Sequence, residues 1–161
     1  MFCVSLRRLP KRTVWSSFVL LSFVVASSIC AVRSSAQKAD DPLFSDFKGV
    51  RIGTPTEEAR KKLGNPKDKG DEQDFYLFND DQAVQVYYNK DTRKVTAISI
   101  DFMNGAKEIP TPKEIIGSDI EAKADGSGYK LVRYPKAGFW VSYSRTAGKE
   151  PTITITMQKI E

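Results

Sequence analysis

Two similar helix signals stand 57 residues apart in this 161-residue chain, and each precedes three strand-like runs. Positions 54–57 read T-P-T-E, and positions 111–114 read T-P-K-E. In each, the Thr is placed to cap a helix, the Pro suits the first helical turn, and the Glu completes a capping box. This spacing predicts a duplicated unit of one short helix and three strands, which limits the possible folds more than any other feature.

The first helix has a local stop signal as well as a start signal. Cations at 60–62 complement the helix dipole in its last turn, Gly64 suits a left-handed end, and Pro66 prevents continuation. Its apolar stripe is narrow, consisting of Ala59 and Leu63. So short a helix is marginal on its own, so we expect it to lie on a sheet.

Six runs rich in aromatic or alternating apolar residues predict β-strands. The last run alternates almost strictly, with Ile153, Ile155 and Met157 on one side and polar residues on the other. Such alternation is typical of an antiparallel sheet with one buried face. We therefore predict an α+β fold of two tandem αβββ units, with short helices packed on one face of the sheet. The predicted strands span residues 75–78, 83–88, 95–102, 129–134, 138–144 and 152–158.

Residues 1–36 have the pattern of a secretory signal peptide. They contain five basic and no acidic residues, an uncharged apolar stretch over 13–32, and small residues before the predicted cleavage after Ala36. If this leader stayed uncleaved, its 20 uncharged residues could anchor the chain in a membrane. Lipid attachment at Cys30 fits poorly, because Ile29 precedes it. The sequence predicts export to the periplasm or the extracellular space, with membrane anchoring as the alternative.

Beyond the leader we predict three segments. Residues 37–48 form a polar tether whose end docks through Phe44 and Phe47, residues 49–104 form the first αβββ unit, and residues 105–161 form a degenerate second unit.

The charge balance argues against a nucleic-acid partner. The chain has 25 basic and 20 acidic residues, a surplus of five, and the leader holds five basic and no acidic residues. The exported part is therefore neutral and lacks the basic excess that nucleic-acid binding requires.

The residue types available leave little room for catalysis. The chain has no His, and both cysteines, Cys3 and Cys30, lie in the leader, so Ser–His and Cys–His arrangements cannot form in the exported part. The acidic loop 68–74 offers oxygen ligands for calcium, but its spacing matches no calcium-binding loop, and Asp is an ordinary turn residue. We predict a protein that is not an enzyme and has no metal or cofactor.

Aromatic residues on the predicted strands are the stronger functional signal. Exposed Tyr and Trp patches often mark binding sites, so we predict partner binding through aromatic rings on an uncovered sheet face. The alternative is that these rings pack under the tether or the second helix. The candidate partner-binding residues are Tyr76, Phe78, Tyr87, Tyr134 and Trp140.

The segment from Ile52 to Pro66 reads I-G-T-P-x-x-E-A-x-x-x-L-G-x-P, and an aromatic strand follows at 75–78. This order resembles the SmpA/OmlA (BamE-like) proteins over residues 49–102, and the tandem arrangement resembles the β-lactamase-inhibitor-protein fold. The resemblance implies helices on an antiparallel sheet and a role in the cell envelope. The chain departs from both groups, since it lacks a convincing lipoprotein Cys and the disulfides of the inhibitor proteins.

These observations together predict an exported, non-catalytic protein-binding module of the cell envelope. Its partner is expected to be another envelope or secreted protein. The alternatives are an inhibitor of a secreted hydrolase and a small exported enzyme.

Overall fold

A computed structural model describes residues 41–103 and 105–161, which belong to one compact unit, Ala36–Glu161. The elements are α1 (Thr56–Leu63), β1 (Asp68–Lys69), β2 (Gln73–Asn79), β3 (Gln82–Asn89), β4 (Lys94–Phe102), α2 (Pro112–Ile116), β5 (Gly128–Tyr134), β6 (Phe139–Arg145) and β7 (Ile153–Lys159). The strands form one antiparallel sheet in the order β1-β2-β3-β4-β7-β6-β5. The six long strands agree in position with the six predicted runs.

One face of this sheet carries the hydrophobic core, because alternate side chains of each strand point the same way. Ile98 lies opposite Val86 on one side and Met157 on the other, and Met157 lies opposite Val141. All four side chains are fully buried. The pairing of β4 with β7 therefore makes one core continuous across the whole sheet.

The predicted α+β class is wrong, since the fold is nearer to all-β. The helices have only eight and five residues, and they contribute Ala59, Leu63, Ile115 and Ile116 to the apolar core. More loop side chains than helical ones pack on the core, because the helical apolar stripes are too narrow to cover seven strands. The loop side chains packed on the core are Phe44, Phe47, Val50, Ile52, Ala106, Ile109 and Ile120.

The start of α1 also differs from its prediction. Pro55 is the N-cap and makes no side-chain cap, while the Thr54 hydroxyl accepts a hydrogen bond from the Arg51 N–H at 3.0 Å. Backbone bonds join Gly53 and Thr54 to Val95 instead, so pairing with β4 fixes the helix start. The second predicted capping box, between Thr111 and Glu114, is present.

The end of α1 requires a glycine. Gly64 has φ 86° and ψ −159°, a region almost restricted to glycine, whereas Gly117 after α2 has φ 75° and ψ 6°, a left-handed conformation that Asn tolerates. We expect Gly64→Asn to lower the free energy of unfolding by about 1–3 kcal/mol. The matched change Gly117→Asn should cost less than about 1 kcal/mol. Urea unfolding of both variants measures the difference, and equal losses would contradict this account of the helix end.

The predicted leader (1–36) lies outside the described residues, as does the first part of the tether (37–40). The end of the tether is described, and Phe44 and Phe47 pack against the core as predicted. Within 41–103 and 105–161, no helix is long and apolar enough to cross a membrane.

Candidate functional site

The sheet face opposite the core forms a broad surface that we name the open face. The helical and loop side chains of the core cluster, within the described part of the chain, belong to the other face. Strand registers define three rows on the open face, each running from β2 through β3, β4, β7 and β6 to β5. The first row is Gln73, Tyr87, Ala97, Gln158, Trp140 and Arg133; the second is Phe75, Gln85, Ser99, Thr156, Ser142 and Leu131; the third is Leu77, Ala83, Asp101, Thr154, Ser144 and Tyr129.

Small or polar side chains occupy the middle of the open face, and the large rings lie on either side of them. The small side chains Ala83, Ala97 and Ser142 are buried between longer neighbours. Hydroxyl and carboxylate groups there bond to one another, with the Thr154 hydroxyl donating to Asp101 at 2.7 Å and 3.2 Å separating the Ser99 and Thr156 hydroxyl oxygens. This pairing holds the polar side chains in place.

The first row brings together three residue types that dominate protein interfaces. Tyr87 and Trp140 are separated by Ala97 and Gln158, and Arg133 lies directly opposite Trp140 on the next strand. Three strand spacings of about 4.8 Å place the two aromatic positions about 14 Å apart. The Tyr87 hydroxyl donates to the Gln85 amide oxygen at 2.6 Å, which fixes the tip of that ring.

The structure divides the five predicted aromatic residues between the two faces. Tyr87 and Trp140 lie on the open face and are partly exposed. Tyr76 and Tyr134 lie on the core face and are only 2% and 4% exposed, so neither ring is available to a partner. Tyr76 and Tyr134 are therefore corrected as candidate partner-binding residues, because both rings are buried in the core.

Phe78 also lies on the core side, where the tether covers it. Its ring packs edge-on against Phe47 at 5.8 Å and stacks with Tyr76 at 6.1 Å between ring centroids. The Lys48 ammonium lies 4.7 Å from its centroid. For Phe78, the structure therefore agrees with the alternative prediction, in which the ring packs under the tether.

Sequence reasoning missed the side chains of β5 that lie on the open face. Tyr129, Leu131 and Arg133 alternate onto the open face, and Tyr129 is 60% exposed. The signal was available, because Trp140 and its pairing partner on β5 must share a face. Choosing that partner required the hairpin register, which the loop between the strands did not reveal.

Sequence reasoning also missed a buried ion pair on the core face. Arg60 on α1 donates from Nε to Asp74 Oδ2 at 2.8 Å and from Nη2 to Oδ1 at 3.0 Å, and the Asp74 carboxylate is fully buried. The Tyr88 hydroxyl donates to Asp74 at 2.8 Å. Burial raises the pKa of Asp74, but the hydrogen bonds from Arg60 and Tyr88 outweigh it and hold the pKa below its usual value. This pair fastens α1 to β2.

The acidic loop is thus divided by the structure. Asp74 is bound to Arg60, whereas Asp68, Asp71 and Glu72 are exposed. The Asp71 and Glu72 carboxylates lie near Arg93 and Lys90, at 3.5 and 3.6 Å. Over 41–103 and 105–161, no group of three or more acidic side chains is placed to hold a metal ion.

A cleft separate from the open face lies where β6 ends and β7 begins. It is a cleft of about 410 Å³ between these strands, Met103 and residues 105–112, lined mainly by Met103, Ile109, Pro110, Tyr143 and Pro151. The Tyr143 hydroxyl donates to the Pro110 carbonyl at 3.2 Å. Arg145 is the one charged residue in its lining as described. The cleft therefore offers no paired acid and base.

No family model, curated protein or solved structure matches this chain. The resemblance to the SmpA/OmlA (BamE-like) proteins accordingly stays a prediction, and the open face stands as the candidate site on its geometry.

Proposed function

We propose that this protein is an exported, non-catalytic module of the cell envelope that binds another envelope or secreted protein through the open face. The row Tyr87–Trp140–Arg133 carries the proposal, because it places three interface-forming side chains on a face that the described helices and loops leave uncovered. Trp, Tyr and Arg are enriched among the few residues that carry most of the binding energy in protein interfaces, because they combine large contact areas with hydrogen bonding.

The rest of the open face supports the same proposal. Between the Tyr87 and Trp140 positions lie Ala97, which is buried, and Gln158, which is exposed and offers an amide group to a partner. Leu77 on β2 and Tyr129 on β5, which are 40% and 60% exposed, extend the apolar area of the open face toward the two edges of the sheet. Asp101 and Arg133 are the two charged residues in the three rows. Such a neutral surface favours contact through shape and hydrogen bonds over strong charge attraction.

Partner capture from envelope extract tests the proposal. We expect the wild-type protein to retain a specific partner, and Trp140→Ala to weaken its binding by about 30-fold, equivalent to about 2 kcal/mol. Tyr87→Ala should weaken it as well. Leu43→Ala is the matched control, since Leu43 is an exposed apolar residue that lies near Gly117, away from the open face.

The affinities of the recovered complexes decide the outcome. Binding that survives both Trp140→Ala and Tyr87→Ala at full strength would refute the role of the open face. An activity assay of the captured partner then distinguishes an inhibitor of a secreted hydrolase from a module that assembles with its partner.

A further inference from the structure

We propose that the free edge of β5 takes up an extended, acidic segment of the partner as an additional strand. This inference rests on the proposed function. It specifies where part of the partner binds and what chemistry that part has. Strand addition is a common mode of peptide recognition, since the backbone groups of an exposed edge supply hydrogen bonds and flanking side chains supply selectivity.

Among the residues that the structure describes, no strand pairs with the outer side of β5 beyond a bridge at its start, so the backbone groups there are unpaired. β5 is the last strand of the sheet, and β6 pairs with its inner side only. Near its start, the Ser127 carbonyl points away from β6, because it accepts a hydrogen bond from the Lys123 N–H at 2.7 Å. Since backbone groups alternate in an antiparallel strand, Tyr129, Leu131 and Arg133 direct their N–H and C=O groups to the same outer side.

The two edges of the sheet differ in how well they are protected. At the β2 edge, the two-residue strand β1 covers part of β2, and β2 itself is irregular between Leu77 and Asn79. The β5–β6 ladder runs through seven pairs without a register shift, and the one bridge on the outer side of β5 joins Ala122 to Gly128. Because that bridge engages the outward groups at the start of β5, the residues from Lys130 to Tyr134 form the regular edge that can accept a further strand.

The charges on this edge indicate the chemistry of the strand that would fit. Lys130 and Arg133 are exposed, and neither forms an ion pair with any described residue. They lie three positions apart, so they project from opposite faces of the sheet. An added strand would complement both with acidic side chains spaced three residues apart. A second copy of the chain would instead bring four cations together, which opposes self-pairing.

The apolar part of the edge continues the open face. Tyr129 and Leu131 project from the same face as Arg133, and Arg133 lies opposite Trp140. A strand added beside β5 would extend the first row beyond Arg133. The partner could then contact Trp140 and the β5 edge together, which joins the two sites into one binding surface.

A peptide-binding experiment tests this inference. The probe is an eight-residue capped peptide of Thr and Val with Glu at its third and sixth positions, and its counterpart has Lys at those positions. We expect the acidic peptide to bind at least tenfold more tightly than the basic one, and to slow hydrogen exchange at the amides of Leu131 and Arg133. Lys130→Glu combined with Arg133→Glu should reverse the preference.

A proline substitution separates strand pairing from charge attraction. Leu131→Pro removes an outward N–H that makes no bond to β6, so thermal melts should show that the variant folds. It should weaken binding of the acidic peptide at least tenfold, whereas Leu131→Thr, which keeps the N–H, should not. Equal binding of the two peptides, unchanged binding to Leu131→Pro, or no binding at all would overturn the inference. In the last case, the cations would guard the edge against pairing.

Two further results identify the other ways in which the inference can fail. If the protein sediments as a dimer that Leu131→Pro dissociates, a second copy occupies the edge and the inference is wrong. If Trp140→Ala abolishes partner capture while the peptide results are negative, the proposed function stands and strand addition alone is refuted. If the wild-type protein captures no partner, the proposed function itself fails.

Discussion

Arg60→Ala is expected to lower the free energy of unfolding by about 3–5 kcal/mol, because it leaves the Asp74 carboxylate buried without its cation. Arg60 also donates to the Gly70 carbonyl at 2.8 Å and to Glu57 at 3.0 Å, so the substitution loosens the loop before β2 as well. Urea unfolding followed by circular dichroism measures the loss.

Lys61→Ala is the matched control for this prediction. It removes the same charge from the next position of α1, where the side chain is exposed, and should change stability by no more than about 0.5 kcal/mol. The double variant Arg60→Leu with Asp74→Leu should be more stable than Arg60→Ala, since no buried charge is left unpaired. If Arg60→Ala and Lys61→Ala were equally stable, the ion pair would not fasten α1 to the sheet.

Alkaline pH is expected to unfold the protein in one cooperative step above about pH 10, the usual pKa of tyrosine. Burial raises the pKa of four of the six tyrosines, namely Tyr76, Tyr88, Tyr134 and Tyr143. The folded state therefore keeps protons that the unfolded state releases above pH 10. The stability that depends on these neutral tyrosines is fully present below the tyrosine pKa of the unfolded state. It is lost as the pH rises through the raised pKa values of the folded state.

Phenolate absorbance recorded together with circular dichroism checks this prediction. The four buried tyrosines should ionise only as the sheet unfolds. Tyr134→Phe removes one of these buried phenols and should move the unfolding midpoint to higher pH. Tyr129→Phe, at an exposed position, is the control. Ionisation of all four tyrosines in a protein that remains folded would contradict the raised pKa values.

The strands were predictable because their signal is local. The alternation of Ile153, Ile155 and Met157 with polar residues marks β7 and its buried face, whatever the rest of the chain does. The start of α1 shows the limit of such signals. Thr54 has the sequence of a cap, but its backbone pairs with Val95, and its side chain bonds to Arg51. Backbone hydrogen bonds to β4 therefore take the place of the side-chain cap that the sequence predicts.

The candidate site depended on information that local patterns do not contain. Alternation requires Tyr87 and Tyr88 to point in opposite directions, but it does not say which of them faces the core. Tyr88 faces inward, where its hydroxyl donates to Asp74, so Tyr87 lies on the open face. Tyr76 and Tyr134 turned out to be buried for the same reason, since the covered face is set by distant segments.

The sequence by itself determined the positions of the six long strands, the docking of residues Phe44 and Phe47, and the absence of His and Cys side chains after residue 30. Only the tertiary structure decided that β4 pairs with β7, that more loop than helical side chains pack on the core, and that Arg60 pairs with Asp74. The physical reason is the distance along the chain over which each kind of interaction acts. Side-chain periodicity and turn residues act within a few positions, whereas strand order, face selection and buried charge pairing arise from contacts between residues far apart in the chain.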